Sequence, residues 1–476
     1  MNHLQSSVEV FSPSEVEAIH RSSLRILDRV GVRVPHAETL ERCRRAGAKV
    51  DEARETVRIP PALMEEVLAH IRTGKARTQA GGQPAKLEGV ISTQAQVVDY
   101  SSDTRRPGLV SDVLKGIALV QHLRSFPTCN AVVIPSDLPA EIADVACFRM
   151  VYSYSRKPGG TYVLTPFSAR YVVRMAEAIN RPALFLLDPV SPLQFRKESL
   201  EIAAIFAHAH QLLYVGSMVM AGATGPTTLA GTVTLHNAEL LASLFLIFAL
   251  TQEYRYGVYN VGPHSVDPRT MACSFGSPNQ ALFAICVAQL GHFYGLRCVA
   301  NVGLTDSLRP DFQAGFEKAS TAVFGMLAGI ESIGCQGLVG ADQGFSFEQL
   351  VMDNEWIEFC NYVLNGVEVT EETIAADLIE NVGIGGSFVA EEHTARHFRQ
   401  SSYLSKLLNR DLWEAWRAEG RKDALSRAHD FVQATVGHSP SLDPVCTPEQ
   451  FNELNRIVEE ANAELGHSAL RIGQNL

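Results

Sequence analysis

The nine cysteines of this 476-residue chain include no C-x-x-C pair, and their irregular spacing excludes both a disulfide framework and a zinc knuckle. Cys273, Cys298 and Cys335 fall near loops of interest, but no His or Cys partner sits at ligand spacing, so no metal is expected. An excess of basic residues is missing too. Lys and Arg number 41 against 52 Asp and Glu, a formal charge of −11 at pH 7. That balance argues against a nucleic-acid or anionic-membrane surface and suits cationic small substrates. No uninterrupted apolar run reaches the ~18 residues of a membrane span; SLFLIFALT at 243–251 comes nearest and is too short. The first residues, MNHLQSSVEVFSPSE, have neither the basic region nor the apolar core of a signal peptide, so a cytoplasmic protein is expected. No G-x-G-x-x-G opens a helix after a strand, which weakens an open dinucleotide-binding sheet.

What is present is a beat. Short apolar runs recur at 130–137, 159–168, 183–195, 212–226, 256–265, 297–306, 332–344 and 378–394, with helix-length segments between them. Near-continuous apolar strands alternating with helices mean parallel pairing covered from outside. Eight such units predict an α/β fold, a (β/α)8 TIM barrel, over 109–394. Residues 1–108 read as an N-terminal helical cap with a short β segment at 86–101. Ser12-Pro13-Ser14-Glu15 opens its first helix, Ile19, Leu24, Leu27 and Val30 mark an apolar face, and Gly47 and Gly74 are stops. Residues 395–476 read as a C-terminal helical extension. The stretch 304–355 is the richest in chemistry, with carboxylates Asp306, Asp311, Glu317, Asp342, Asp353 and Glu355 in and around two loops.

Longer words in the same chain carry a family likeness. IHRSSLRILDRVGVRV, DPVSPLQF, GATGPTTLAGT followed by HNAELLASL, FGSPNQAL, GLTDSLRPDFQAGFEK, FEQLVMDNE and EEHTARHFR occur in order between about 10 and 460. Together they resemble the trimethylamine methyltransferase family. The resemblance implies a TIM barrel that moves a methyl group from an amine to the Co(I) of a partner corrinoid protein. Cobalamin then belongs to that partner and no cofactor to this chain. Archaeal trimethylamine enzymes of the family carry pyrrolysine, and its position falls in the loop around Gly337–Gln343, where every residue here is ordinary. The chain therefore resembles the non-pyrrolysine branch, which implies a quaternary amine such as glycine betaine as donor. Proline betaine, carnitine, γ-butyrobetaine and trimethylamine are the alternative donors.

A quaternary ammonium seeks aromatic faces and carboxylates. The candidate substrate-binding residues are Tyr100, Gln194, Thr224, Tyr259, His264, Asp306, Gln343, Phe347, Phe388 and His393. No acid or base is required, and His264, Asp306 and His393 are assigned to orientation. Each also admits a bland role: ring packing for the aromatics, turn chemistry for Gln194 and Thr224. Asn260 and Asn301 share that status, and His236 reads as a packing histidine. Two rivals from other classes are a metal-dependent barrel hydrolase built on His264, His393 and Asp306, and a betaine-binding protein without activity. A homo-oligomer is compatible with the sequence, which does not decide it.

Overall fold

The computed structural model describes residues 8–73, 86–253, 258–259, 262–437 and 442–466. The N-terminal helix Pro13–Arg29 starts where expected: the Ser12 amide donates to Glu15 Oε2 at 2.8 Å, closing a capping box. Ile19, Leu24 and Leu27 are buried, but Val30 is 57% exposed at the helix end. Gly47, at φ +97°, follows the helix Ala37–Arg45, a left-handed stop that glycine adopts without strain. Gly74 and Asn260 lie outside the described residues. A small antiparallel sheet of Val32–Arg33, Lys49–Asp51 and Thr56–Arg58, not anticipated, completes this cap.

The body is a parallel strand–helix repeat. Its regular strands are β1 (Glu88–Ile91), β2 (Leu184–Leu187), β3 (Leu212–Val215), β4 (Val258–Tyr259), β5 (Arg297–Ala300) and β6 (Ser332–Gln336). Strands β2 and β3 pair in parallel, and β4, β5, β6 and β1 form a four-stranded parallel sheet in that order. The runs at 130–134 and 159–163 lie extended without forming ladders. Single backbone bonds tie them in: Gln94 N to Val132 O at 2.9 Å, Ile134 N to Gln94 O at 2.9 Å, and Ala131 N to Gly160 O at 2.8 Å. Among the described residues no ladder joins β3 to β4, or the 159–163 run to β2, so the parallel strands do not form one closed sheet.

Seven of the eight apolar runs fall at extended positions. The eighth does not: 378–394 takes in most of the helix Ala376–Val382, a glycine loop and the start of Glu392–His397, all outside the sheet. Leu378, Ile379 and Val382 have helical spacing, and Gly383 at φ +64° ends the turn. The missing strand is β1, which lies within the segment read as cap and pairs with β6. Its alternation marks 86–101 as β, as expected, but kept it out of the count of continuous apolar runs and so in the cap.

Helices α1 (Val110–Val120), α2 (Ala143–Tyr154), α3 (Pro166–Ala178), α4 (Lys197–His208), α5 (Leu229–Thr251), α6 (Pro278–Tyr294), α7 (Phe312–Leu327) and α8 (Phe347–Leu364) follow the successive extended segments. All of α2 is buried because the C-terminal helix Pro448–Glu464 covers its outer side. Helix α5 is long and apolar enough to cross a membrane by composition. It is buried here between the repeat and the N-terminal helix Pro13–Arg29, as a helix apolar on all sides requires.

Candidate functional site at the strand ends

The C-terminal ends of the parallel strands open into a mouth whose walls are polar groups fixed by their own strands. After β5, Asn301 Nδ2 lies 3.3 Å from His264 Nε2, and His264 Nδ1 lies 3.0 Å from Gln280 Oε1. Gln280 Nε2 donates to Asn301 O at 2.8 Å, which orients its Oε1 towards the imidazole. Burial lowers the His264 pKa to about 4, so the ring is neutral and acts as a strut. Asn301 also approaches the half-exposed Met218 sulfur at 3.9 Å. Ser217 after β3 and Ser191 after β2 donate to Glu239 Oε2 at 2.7 and 2.8 Å, and Leu193 N donates to Oε1 at 2.9 Å. Burial nevertheless raises the Glu239 pKa.

Tyr162, which no sequence argument singled out, faces this mouth at 51% exposure. Its phenol pKa is pushed well up by Cys335, then by burial, then by the carboxylates Asp342 and Asp188. Burial likewise raises Asp188, opposed by Arg196 and its own backbone. Gln94 Nε2 donates to Asp342 from the end of β1. Cys335 has φ +61° and Asp342 φ +75°, a region that costs a non-glycine residue of order 1–3 kcal/mol and that clusters at functional sites. Burial raises the Cys335 thiol to about 12, so it is neutral near pH 7. An aromatic ring with the carboxylates Asp342 and Asp188 in its surroundings offers the chemistry of a site for an organic cation.

The loop that carries Asp342 is held from beneath. Asp353 on α8 accepts from Gly337 N at 2.7 Å, Gln349 Nε2 at 2.8 Å and Trp356 Nε1 at 3.0 Å. Lys318 on α7 donates to the same carboxylate at 3.0 Å and to Gly303 O at 2.9 Å, with both side chains fully buried. One ion pair thus fixes the residues that follow both β5 and β6.

Beside the mouth a cleft of about 900 Å³ opens between α6, α7 and the hairpin of His264–Val266 and Cys273–Ser274. Asp306, Glu317, Gln343 and Phe316 line it. Asp306 accepts from Ser274 Oγ at 2.8 Å and Phe275 N at 2.6 Å. Glu317 accepts from Thr305 Oγ1 at 2.6 Å and Asp306 N at 2.9 Å. Gln343 Oε1 accepts from Arg105 at 3.0 Å on the outer side of its loop. Burial raises the Cys273 thiol to about 12, with smaller contributions from Asp306 and Asp342.

The structure therefore gathers His264, Asp306 and Gln343 around the mouth and cleft, and leaves the other candidates apart. Tyr259 is fully buried on the outer side of β4, with its hydroxyl 2.9 Å from Asn237 and its ring against Tyr294. Tyr100 stacks on His429 at 3.9 Å. Phe347 is buried under Lys115 and against Phe345. Thr224 Oγ1 accepts from Met220 N at 2.9 Å, a turn bond. Gln194 bridges to Arg33 of the cap. Beyond α8, Phe388 is exposed and His393 is half-buried, lying 3.3 Å from Glu372 O. No three His, Cys, Asp or Glu residues gather as a metal site among the described residues. Tyr162 and Asp188 were missed, although each stands within one of the apolar runs; a polar residue closing such a run was the available signal.

The family profile for trimethylamine methyltransferase (MTTB) matches residues 1–466. The chain is similar, at 31% identity over 96% of its length and 94% of the relative, to the trimethylamine methyltransferase MttB of Desulfitobacterium hafniense (strain DSM 10664 / DCB-2). It is 26% identical, over 98% of its length and all of the relative, to the glycine betaine methyltransferase of Desulfitobacterium hafniense (strain Y51). Its fold is similar to that of the Methanosarcina barkeri monomethylamine methyltransferase (MtmB), with a TM-score of 0.50 at 10% identity, covering 97% of this chain and 89% of that one.

Proposed function

Because this chain belongs to the trimethylamine methyltransferase (MTTB) family and is a methyltransferase, we propose that its donor is a quaternary amine, glycine betaine first, and its acceptor a separate corrinoid protein. The observation that carries this reading is the half-exposed Tyr162 ring in the 159–163 run, with the carboxylates Asp188 and Asp342 near enough to raise its phenol pKa. A tertiary amine needs activation before its methyl group can leave. A quaternary ammonium already bears the charge and leaves as a neutral amine, so no acid, base or covalent helper is needed. Residues 337–343, all ordinary amino acids, suit that economy.

In this reading the parallel repeat closes as a (β/α)8 barrel, with the 130–134 and 159–163 runs as its second and third strands. Tyr162 holds the ammonium by its face, Asp188 and Asp342 offset the positive charge, and Asn301 with Met218 limits where the methyl group can point. Exposed Leu164, Met218, Met271 and Leu308, all on loops that follow strands, form an apolar rim suited to a docked protein. The corrinoid of that protein, as Co(I), supplies the electron pair that takes the methyl group, while the C–N pair stays on nitrogen. The protein works in the cytoplasm, and His264 and Asp306 orient rather than transfer protons.

The test is optical. The chain is mixed with a reduced corrinoid protein, or free cob(I)alamin, and a panel of betaines and methylamines, and the Co(I) absorption band is followed. Its loss to methyl-Co(III) with glycine betaine or another quaternary donor is the expected result. Turnover of trimethylamine with none of the quaternary donors would overturn the reading.

A further inference from the structure

Two carboxylates have no exposed surface among the described residues, and their surroundings differ. Asp353 meets the ammonium of Lys318. Glu239, within the word HNAELLASL on α5, meets no cation: the groups that act on it are Ser217, Ser191 and the backbone amide of Leu193, all neutral. It sits in the middle of α5, too far from the helix N-terminus for the dipole there to stand in for a cation. A buried charge without a counter-ion is costly. Yet three donors converge on its two oxygens, a shell that suits an ionised carboxylate, which can only accept. Burial raises its pKa, and a cation nearby would act in the opposite direction. The shell is built for a charge whose partner comes from outside the chain.

The position of Glu239 says from where. Ser191 and Leu193 follow β2 and Ser217 follows β3, so the carboxylate stands behind the ends of those two strands. Asp188, a carboxylate in the surroundings of Tyr162, lies just before Ser191 in the chain, and half-exposed Met218 directly follows Ser217. Asp188 already has Arg196 near enough to act on it, which leaves Glu239 as the carboxylate of this wall without a cation. In surroundings that cannot reorient as water does, a fixed charge is felt across intervening atoms. Resting on the reading of the donor as a quaternary amine, we propose that Glu239 is a specificity-determining residue: its charge, held by Ser191, Ser217 and Leu193 without touching the donor, makes the mouth prefer a permanent cation to a neutral molecule of the same shape.

Titration calorimetry on the full chain tests this with glycine betaine and 3,3-dimethylbutanoate, in which carbon replaces the ammonium nitrogen. Specificity is a difference of affinities, so the ratio of the two dissociation constants is the readout. The wild type is expected to favour glycine betaine at least tenfold. Glu239→Gln, which keeps the shape, should cut that preference about tenfold by weakening glycine betaine and sparing the neutral probe. A merely structural role would weaken both alike. Glu239→Asp should keep most of the preference. If Glu239→Gln loses the far-UV circular dichroism of the wild type, Ser191→Ala/Ser217→Ala strips two donors from the carboxylate, favours its neutral form and should lower the ratio in the same direction. A ratio that survives loss of the charge, equal weakening of both probes, or a wild type with no preference for the cation would overturn the proposal. Methyl transfer plays no part in these ratios, so the choice of donor stands or falls separately, in the Co(I) assay.

Discussion

The strand-and-helix body and the arm beyond α8 spend their charged and apolar residues in opposite ways. The body buries Lys318 against Asp353 with no exposed surface on either side chain, while the arm leaves Ile384, Val389 and Leu412 in the open. Burying an ion pair is costly unless every lone pair and proton is used, and Asp353 meets that condition with four donors. Exposing a row of large apolar side chains is costly unless something else covers them. The comparison teaches that residue type does not set burial in this molecule. The number of partners a residue can reach does.

The sharpest way to break the comparison is to remove one member of the buried pair. Lys318→Met should cost about 3–5 kcal/mol, since it leaves Asp353 charged and dry; urea denaturation reads it. Lys318→Met with Asp353→Leu should recover part of that loss. The next effect is set by pH. Burial holds His264 at about 4 and His236 at about 3, so between pH ~6.5 and ~4 the unfolded chain binds protons that the folded chain refuses. Stability then falls as pH falls through that window, by about 1.4 kcal/mol per pH unit for each histidine. His264→Gln should flatten the urea midpoint against pH by about one proton. At the mouth, Tyr162→Leu should raise KM for a quaternary donor about 2- to 30-fold with little change in stability, from ~0.5–2 kcal/mol of cation–π contact. Smallest of all, Ile384→Ser should change the stability of an isolated protomer by less than ~0.5 kcal/mol, because it removes nothing the protomer packs.

Much of the body was legible in the sequence because its signals are local. The Ser12–Glu15 box, the Gly47 stop and seven of the extended runs all rest on residues within a few positions of each other. Parity was less legible. A continuous apolar run does not say which of two neighbours faces inwards, so Tyr259 was preferred while Tyr162, in a run without a regular ladder, was passed over. The run 378–394 was harder to place, because its apolar count suits a strand and only the helical spacing of Leu378, Ile379 and Val382 tells against one. His264 and Asp306 were found because a polar residue closing an apolar run is rarely idle.

The partnership of β1 with β6 bears on how the protein is made. Ser332 Oγ reaches Glu88 O across 244 positions, and Ser92 N reaches Gln336 O. The first strand of the parallel repeat therefore waits for the last before one of its edges is satisfied. During synthesis Glu88–Ile91 is an open strand edge, the kind of surface that recruits the wrong neighbour. Pairing so distant in sequence is slow to form. The yield of this protein in a cell should consequently depend on what shelters that edge until residue 336 has emerged.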